Sequence, residues 1–212
     1  MPPENQLAEF EITETTRLEA FSDGVFAIAI TLLVLEIRLP ATADAEGRGS
    51  LGTALLQLWP TYLAYVTSFV TIAIMWVNHH STFKTIRRAD RPLLFLNALL
   101  LLAITFLNFP TAIVAEYFEK PDAQVAALFY SGTLFIINLV YNSLWWYVIR
   151  HPELLDSKIS KELVQKFVRK YSISLLAYPV AFVIAFFNAQ LSIILCLAAG
   201  IFFGVIMPQR KP

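Results

Sequence analysis

A few polar side chains set inside apolar stretches carry most of the chemistry this chain could do. Asp23 stands in Phe21-Ser22-Asp23-Gly24, at the start of an apolar run that reaches Ile37, with Arg17 one to two helical turns before it. Trp76, Asn78, His79 and His80 close a second apolar run. An ionisable group at membrane depth costs roughly 2.5–3.5 kcal/mol on insertion scales and is often functional. If Asp23 and one of the two histidines meet, they could form a proton-linked or ion-binding site. They could also form a hydrogen-bonded clasp between two helices, with Arg17 alongside. A position near the membrane interface rather than at mid-depth argues for the clasp. A metal site fits poorly, because adjacent His79 and His80 point about 100° apart on a helix. Glu36, beside Arg38 at the far end of the first run, reads as a solvated group. No Gly-x-Ser-x-Gly elbow, His-Glu-x-x-His motif or pair of mid-membrane aspartates occurs, so no catalytic residue and no enzyme are expected. A Thr-Val-Gly-Tyr-Gly filter is also missing.

The elements that position these groups are apolar helices. Hydrophobic residues make up 57% of the 212, against about 45–50% in soluble domains, and charged residues only 15%. A spanning helix needs roughly 20 mostly apolar residues. Six such stretches use up most of the chain, so an all-α protein with six transmembrane helices in a single domain, 1–212, is expected. The stretches run over about 21–37, 55–79, 92–117, 123–148, 173–187 and 191–206. Pro60 and Pro92 fall in first turns, where a missing N–H costs little, and Pro110 should kink the third helix. Leu39 to Gly52 reads as a loop. Arg150 to Lys170 is polar, with Leu155, Ile159, Leu163 and Phe167 at spacings of four. That pattern predicts an amphipathic helix, either on the membrane surface or packed under the bundle.

Net charge is zero, so no nucleic-acid partner is indicated. Cys196 is the only cysteine, which rules out an intrachain disulfide and leaves the redox compartment open. The acidic start (Glu4, Glu9, Glu11, Glu14) does not look like a cleavable signal peptide.

Arg17-x-x-x-Phe21-Ser22-Asp23-Gly24 resembles the signature of the endosomal and lysosomal potassium channel family (transmembrane protein 175), in its bacterial branch. Trp76-x-x-His79-His80, Leu96-Asn97 and Phe109-Pro110-Thr111 extend the resemblance. It implies a potassium-permeable cation channel: a homotetramer in the plasma membrane, with no cofactor beyond the permeant potassium. Four copies of the first helix would line the pore, narrowed by apolar side chains rather than a carbonyl filter. By the same resemblance the constriction falls at Ile28, further apolar rings at Leu32 and Leu35, and a threonine implicated in selectivity at Thr31. Helix geometry bears on this separately. At about 100° per residue, Ile28, Leu32 and Leu35 lie about 140°, 180° and 120° from Asp23, on the opposite face. If that stripe faces a pore, Asp23 faces the rest of the subunit and joins a structural polar network with Arg17, Ser22, Trp76, His79 and His80. The rival reading is a secondary transporter or proton-coupled carrier. Carriers often show internal repeats and broken mid-membrane helices, and neither is evident here.

Orientation follows from lysine and arginine. With six spans, one side collects thirteen of them, including Arg17, Lys84, Arg150 and Lys211; the other collects three, Arg38, Arg48 and Lys120. Both termini are therefore expected in the cytoplasm. In intact cells, a membrane-impermeant thiol reagent should label a cysteine placed at Glu46 and not one placed at Ser157; labelling at Ser157 from outside would overturn the topology.

Overall fold

The computed structural model describes residues 4–38, 50–157 and 159–205. It is all-helical, and among these residues the only extended pairing is a single antiparallel one between Ile86 and Leu155. Helix α1 spans Glu4–Leu32 and tightens into a 3-10 turn over Leu33–Glu36. Its expected start at Phe21 is corrected to Glu4. The preceding residues are rich in Glu and include Leu, Ala, Gln and Arg, good helix formers that extend a helix once it has nucleated. The expected 39–52 loop lies outside the described residues as far as 49.

Helix α2, Leu51–Gln57, is capped by Ser50, whose Oγ accepts from the Thr53 N–H at 3.3 Å. A break at Leu58 separates it from α3, Trp59–Phe83, which carries Pro60 in its first turn. Helix α4, Arg91–Phe106, is capped by Asp90, which accepts from the Leu93 N–H at 3.0 Å. Pro92 sits in its first turn, where its fixed φ favours helix entry. Helix α5, Asn108–Tyr117, continues α4 after a break at Leu107. Pro110 causes that break, because it has no N–H for the carbonyl four residues back. Asn108 repairs part of the damage by donating from Nδ2 to the Thr105 carbonyl at 3.1 Å.

Helix α6 is Ala123–Arg150, α7 is Lys161–Ala185 and α8 is Ala189–Val205. The separate amphipathic helix expected over 150–170 is corrected. Residues 152–154 form a 3-10 turn and Leu155 is extended, while 161–170 are the first part of α7. The pattern at Leu163 and Phe167 lies outside the described side chains. Leu155 is held by backbone: Arg87 N donates to the Leu154 carbonyl at 2.8 Å, and Asp156 N to the Thr85 carbonyl at 2.9 Å. These bonds make a short extended pair more favourable than continuing the helix.

Among the described residues, four stretches are long and apolar enough to cross a membrane: Thr15–Glu36, Trp59–Phe83, Arg91–Tyr117 and Ala123–Arg150. Ile173–Ala185 and Ala189–Phe203 are apolar but shorter. Helix α6 is the hub, packed against α4, α5, α7 and α8, while α3 joins α1 to α5 and α8.

Buried hydroxyls and amides link the helices where no water competes. Thr111 Oγ1 donates to the Leu107 carbonyl at 2.7 Å and lies 2.7 Å from Ser68 Oγ, which lies 3.0 Å from the Tyr130 hydroxyl. One proton order satisfies all three, running from Tyr130 through Ser68 and Thr111 to Leu107. It ties α3, α5 and α6 at the helix break. Asn138 and Ser174 make a second tie, between α6 and α7: Asn138 Nδ2 donates to the Ser174 carbonyl at 2.9 Å and Ser174 Oγ returns to Asn138 Oδ1 at 3.0 Å. In thermal unfolding of the purified protein, Ser68→Ala should cost about 1–3 kcal/mol, because it strips a buried partner from Tyr130. Tyr130→Phe should cost less, about 0.5–1.5 kcal/mol, since Ser68 still donates to Thr111.

Candidate functional site

The two faces of α1 meet different surroundings. Ser22, Phe26, Ala29 and Leu33 recur at spacings of four, three and four, and all are buried, Phe26 at 1% exposure and Leu33 at 0%. That spacing is one helical stripe, and it packs on α3 and α4, with the terminal 3-10 turn against α3 and α5. On the other side Ile28 is 58% exposed, Leu32 44% and Leu35 67%. Thr31 is exposed beside them, and its hydroxyl donates to the Ile28 carbonyl at 2.9 Å. Ile30 packs against the core. In this chain the three residues expected to line a pore therefore form one bare apolar stripe.

The buried face is held by an amide. Asn97, in the middle of α4, donates from Nδ2 to Ser22 Oγ at 3.0 Å. Its Oδ1 lies 2.8 Å from His79 Nε2. Because Oδ1 only accepts, His79 presents Nε2–H. Ser22 completes the chain by donating to the Leu18 carbonyl at 2.8 Å. The imidazole of His79 stacks on Phe83, with ring centres 4.1 Å apart, and tilts against Phe26 at 5.3 Å. Three helices thus meet on one buried amide, and Asn97 has no exposed surface.

Asp23 sits at the rim of this seam. Its Oδ1 accepts from Trp76 Nε1 at 2.8 Å. The clasp expected between Asp23 and a histidine is therefore corrected: Asp23 pairs with Trp76, and His79 pairs with Asn97. The cause is register on α3. Trp76 and His80 share a face, and their rings stack at 6.0 Å, which lets the indole N–H reach Asp23. Arg17 is exposed and makes no ion pair with Asp23 among the described residues. Of the expected network, Ser22, Asp23, Trp76, His79 and His80 come together and Arg17 stands apart. Asn97 belongs at its centre. Its signal was visible as one amide inside the apolar run from Leu93 to Phe106. With Asp23 and His79 committed to these partners, no set of three metal-ligating side chains forms among the described residues.

A second attachment lies beyond the seam. Thr15 Oγ1 donates to the Arg87 carbonyl at 2.9 Å, so α1 is pinned to the loop that also pairs with Leu154–Asp156. The Tyr147 hydroxyl donates to Asp90, the cap of α4.

A bundle of apolar helices with buried polar ties defines an α-helical membrane protein. Its first helix is locked by one face and bare on the other. A family model described as endosomal/lysosomal potassium channel TMEM175 matches residues 17–107, the stretch that holds this seam. A protein of Chamaesiphon minutus named as a potassium channel is 45% identical over 92% of this chain and 96% of its own length. Another, from Streptomyces collinus, is 41% identical over 94% and 98%. The crystal structure of the lysosomal potassium-selective channel TMEM175 homolog from Chamaesiphon minutus superposes with a TM-score of 0.82 at 44% identity, covering 91% of this chain and 97% of that one. The chain belongs to the TMEM175 family.

The geometry ranks the two ties of the seam. Asn97→Leu takes the acceptor from His79 Nε2–H and the donor from Ser22 Oγ, which keeps its bond to the Leu18 carbonyl, and should lower stability by about 1–3 kcal/mol. Trp76→Phe should cost less, because Trp76 and Asp23 are partly exposed and water can replace the lost bond. Thermal melts of the two variants in detergent check the order; equal losses would mean that Asn97 is not the centre of the seam.

Proposed function

We propose that this chain is one subunit of a homotetrameric, potassium-permeable cation channel in the plasma membrane, with six spans per subunit and both termini in the cytoplasm. The observation that carries the reading is the pairing of faces on α1. One stripe is fully buried on its own subunit, and the opposite one leaves Ile28, Leu32 and Leu35 bare. Four such stripes facing a common axis would cover one another and enclose a narrow apolar passage. The names of the Chamaesiphon and Streptomyces relatives support potassium as the permeant ion. The lysine and arginine bias supports the orientation.

An apolar ring restricts ions by dewetting, since water leaves it and a bare ion cannot cross cheaply. Ile28 is the constriction in this reading, with Leu32 and Leu35 as further rings towards the outside. Thr31 borders the stripe and supplies a hydroxyl close to the conduction path. Asp23 is turned away to Trp76, so its part is to hold α1 in rotation, not to bind the passing ion. The remaining exposed apolar surface suits the lipid bilayer. No catalytic step and no cofactor enters this account.

Potassium and sodium flux into liposomes holding the purified protein tests it. The wild type should pass potassium passively, without saturation at low concentration. Ile28→Asn lets the ring hold water, so flux should rise and discrimination between potassium, sodium and larger cations should fall. Ile30→Asn is the control, because Ile30 packs on the core. Equal behaviour of the two variants would remove the stripe from the pore. Slow, saturable flux coupled to a second ion would replace the channel by a carrier.

A further inference from the structure

Between α4 and α6 the outer wall of the bundle carries an open groove of about 340 Å³. Leu99, Leu102 and Phe106 line it from α4, and Thr133, Ile136 and Val140 from α6. Its hydroxyl needs no partner, because Thr133 already donates to the Phe129 carbonyl at 2.8 Å. A cavity of roughly 150 Å³ holds a benzene ring, so this space takes a length of hydrocarbon. A neighbouring subunit is the less suitable cover. At about 100° per residue, Leu99, Leu102 and Phe106 lie between about 140° and 200° from Asn97. They stand on the face of α4 opposite the seam, away from α1 and its bare stripe. That direction leads to the bilayer.

Both walls lead to a positive charge at the same end. From Phe106, steps of three or four residues pass Leu102, Leu99 and Phe95 and reach Arg91. From Thr133, the same steps pass Ile136, Val140, Ser143 and Tyr147 and reach Arg150. The Tyr147 hydroxyl donates to Asp90, next to Arg91, so the two arginines share one end of the groove. Asp90 is spent on this bond and on the Leu93 N–H. Arg91 and Arg150 are exposed and make no ion pair among the described residues. Trp146, beside the α6 stripe, is exposed, as suits an aromatic side chain at a membrane–water interface. Arg91 is eight residues from Leu99, about 12 Å along a helix, which sets a headgroup above a buried chain. Arginine meets phosphate through a planar fork of donors, and basic pockets between membrane helices hold anionic headgroups. We infer that this groove is a binding site for an anionic glycerophospholipid. Its phosphate is held by Arg91 and Arg150, and one acyl chain lies along Leu99, Leu102, Ile136 and Val140. The site requires that the chain span a membrane and stands whether or not α1 lines a pore.

Native mass spectrometry of the purified full-length protein, titrated with phosphatidylglycerol or with phosphatidylcholine of the same acyl chains, tests the site. Phosphatidylglycerol keeps a net negative charge and phosphatidylcholine does not. The expected result is saturable binding, with phosphatidylglycerol about 5–30-fold tighter, at about 5-fold for each arginine. Arg91→Gln and Arg150→Gln should each weaken phosphatidylglycerol by about that factor and leave phosphatidylcholine unchanged. Ile136→Trp, which fills the groove from its exposed side and keeps both arginines, should weaken both lipids. It keeps the test open if an arginine variant does not fold. Equal affinity for the two lipids, or a preference that survives the loss of both arginines, would overturn the inference. An Ile136→Trp protein that loses its oligomeric state but binds lipid as before would overturn it too, and would give the groove to a neighbouring subunit.

Discussion

One amide in an apolar interior governs how this molecule is arranged. Asn97 has a donor and an acceptor to satisfy and no exposed surface through which water could reach it. Its only solutions lie on neighbouring helices, and it takes both: Ser22 on α1 and His79 on α3. Hydrophobic burial cannot choose among helix rotations inside a membrane, because lipid is as apolar as a leucine side chain. A pair of directional bonds can. Rotating α1 by even one residue, about 100°, would carry Ser22 off the amide. The orientation of the first helix therefore rests on this seam, and with it the identity of the stripe left bare.

The same logic explains why polar groups recur along the bundle instead of concentrating at one point. Ser68, Thr111 and Tyr130 tie three helices at the level of the Pro110 break. Asn138 and Ser174 bind α7 to the hub helix. Each pair is satisfied locally, so each sets the register of its own helices without adding a net charge to the interior. At the end of the bundle that holds Thr15, backbone takes over. The Thr85–Arg87 and Leu154–Asp156 segments pair with each other, and Thr15 bonds the Arg87 carbonyl. Helix α1 is thus held at two levels, by side-chain pairs within the bundle and by the Thr15 hydroxyl on a backbone carbonyl at its end.

These constraints shape the functional reading. In the channel proposed above, a first helix held by one face would present isoleucine and leucine to the passage with little freedom to turn. An apolar constriction needs such rigidity, because its effect on water depends on width. Asp23 illustrates the division of labour. It is the ionisable group that first draws attention in the sequence, yet it serves the seam through Trp76 and points away from the stripe.

The sequence by itself determined the helical class, the apolar stretches, the kink at Pro110 and the opposition between Asp23 and the Ile28–Leu32–Leu35 stripe. All of these follow from composition and from the fixed angle per residue of a helix, which are local properties. The polar seam was legible as a set of residue types, and Ser22, Asp23, Trp76 and His79 do meet. Their pairing was not legible. Whether Asp23 takes a histidine or Trp76 depends on the relative rotation and height of α1 and α3. No residue spacing within either helix encodes that. Asn97 was likewise visible only as an oddity in an apolar run, since its importance comes from standing between two other helices. The stretch before α7 went the same way: its spacing of four reads as a separate helix, but backbone partners on the Thr85–Arg87 loop draw Leu155 into an extended pair. Local periodicity sets what each segment can be. Partners far away in the chain decide which polar group meets which, because only the folded bundle brings their donors and acceptors within bonding distance.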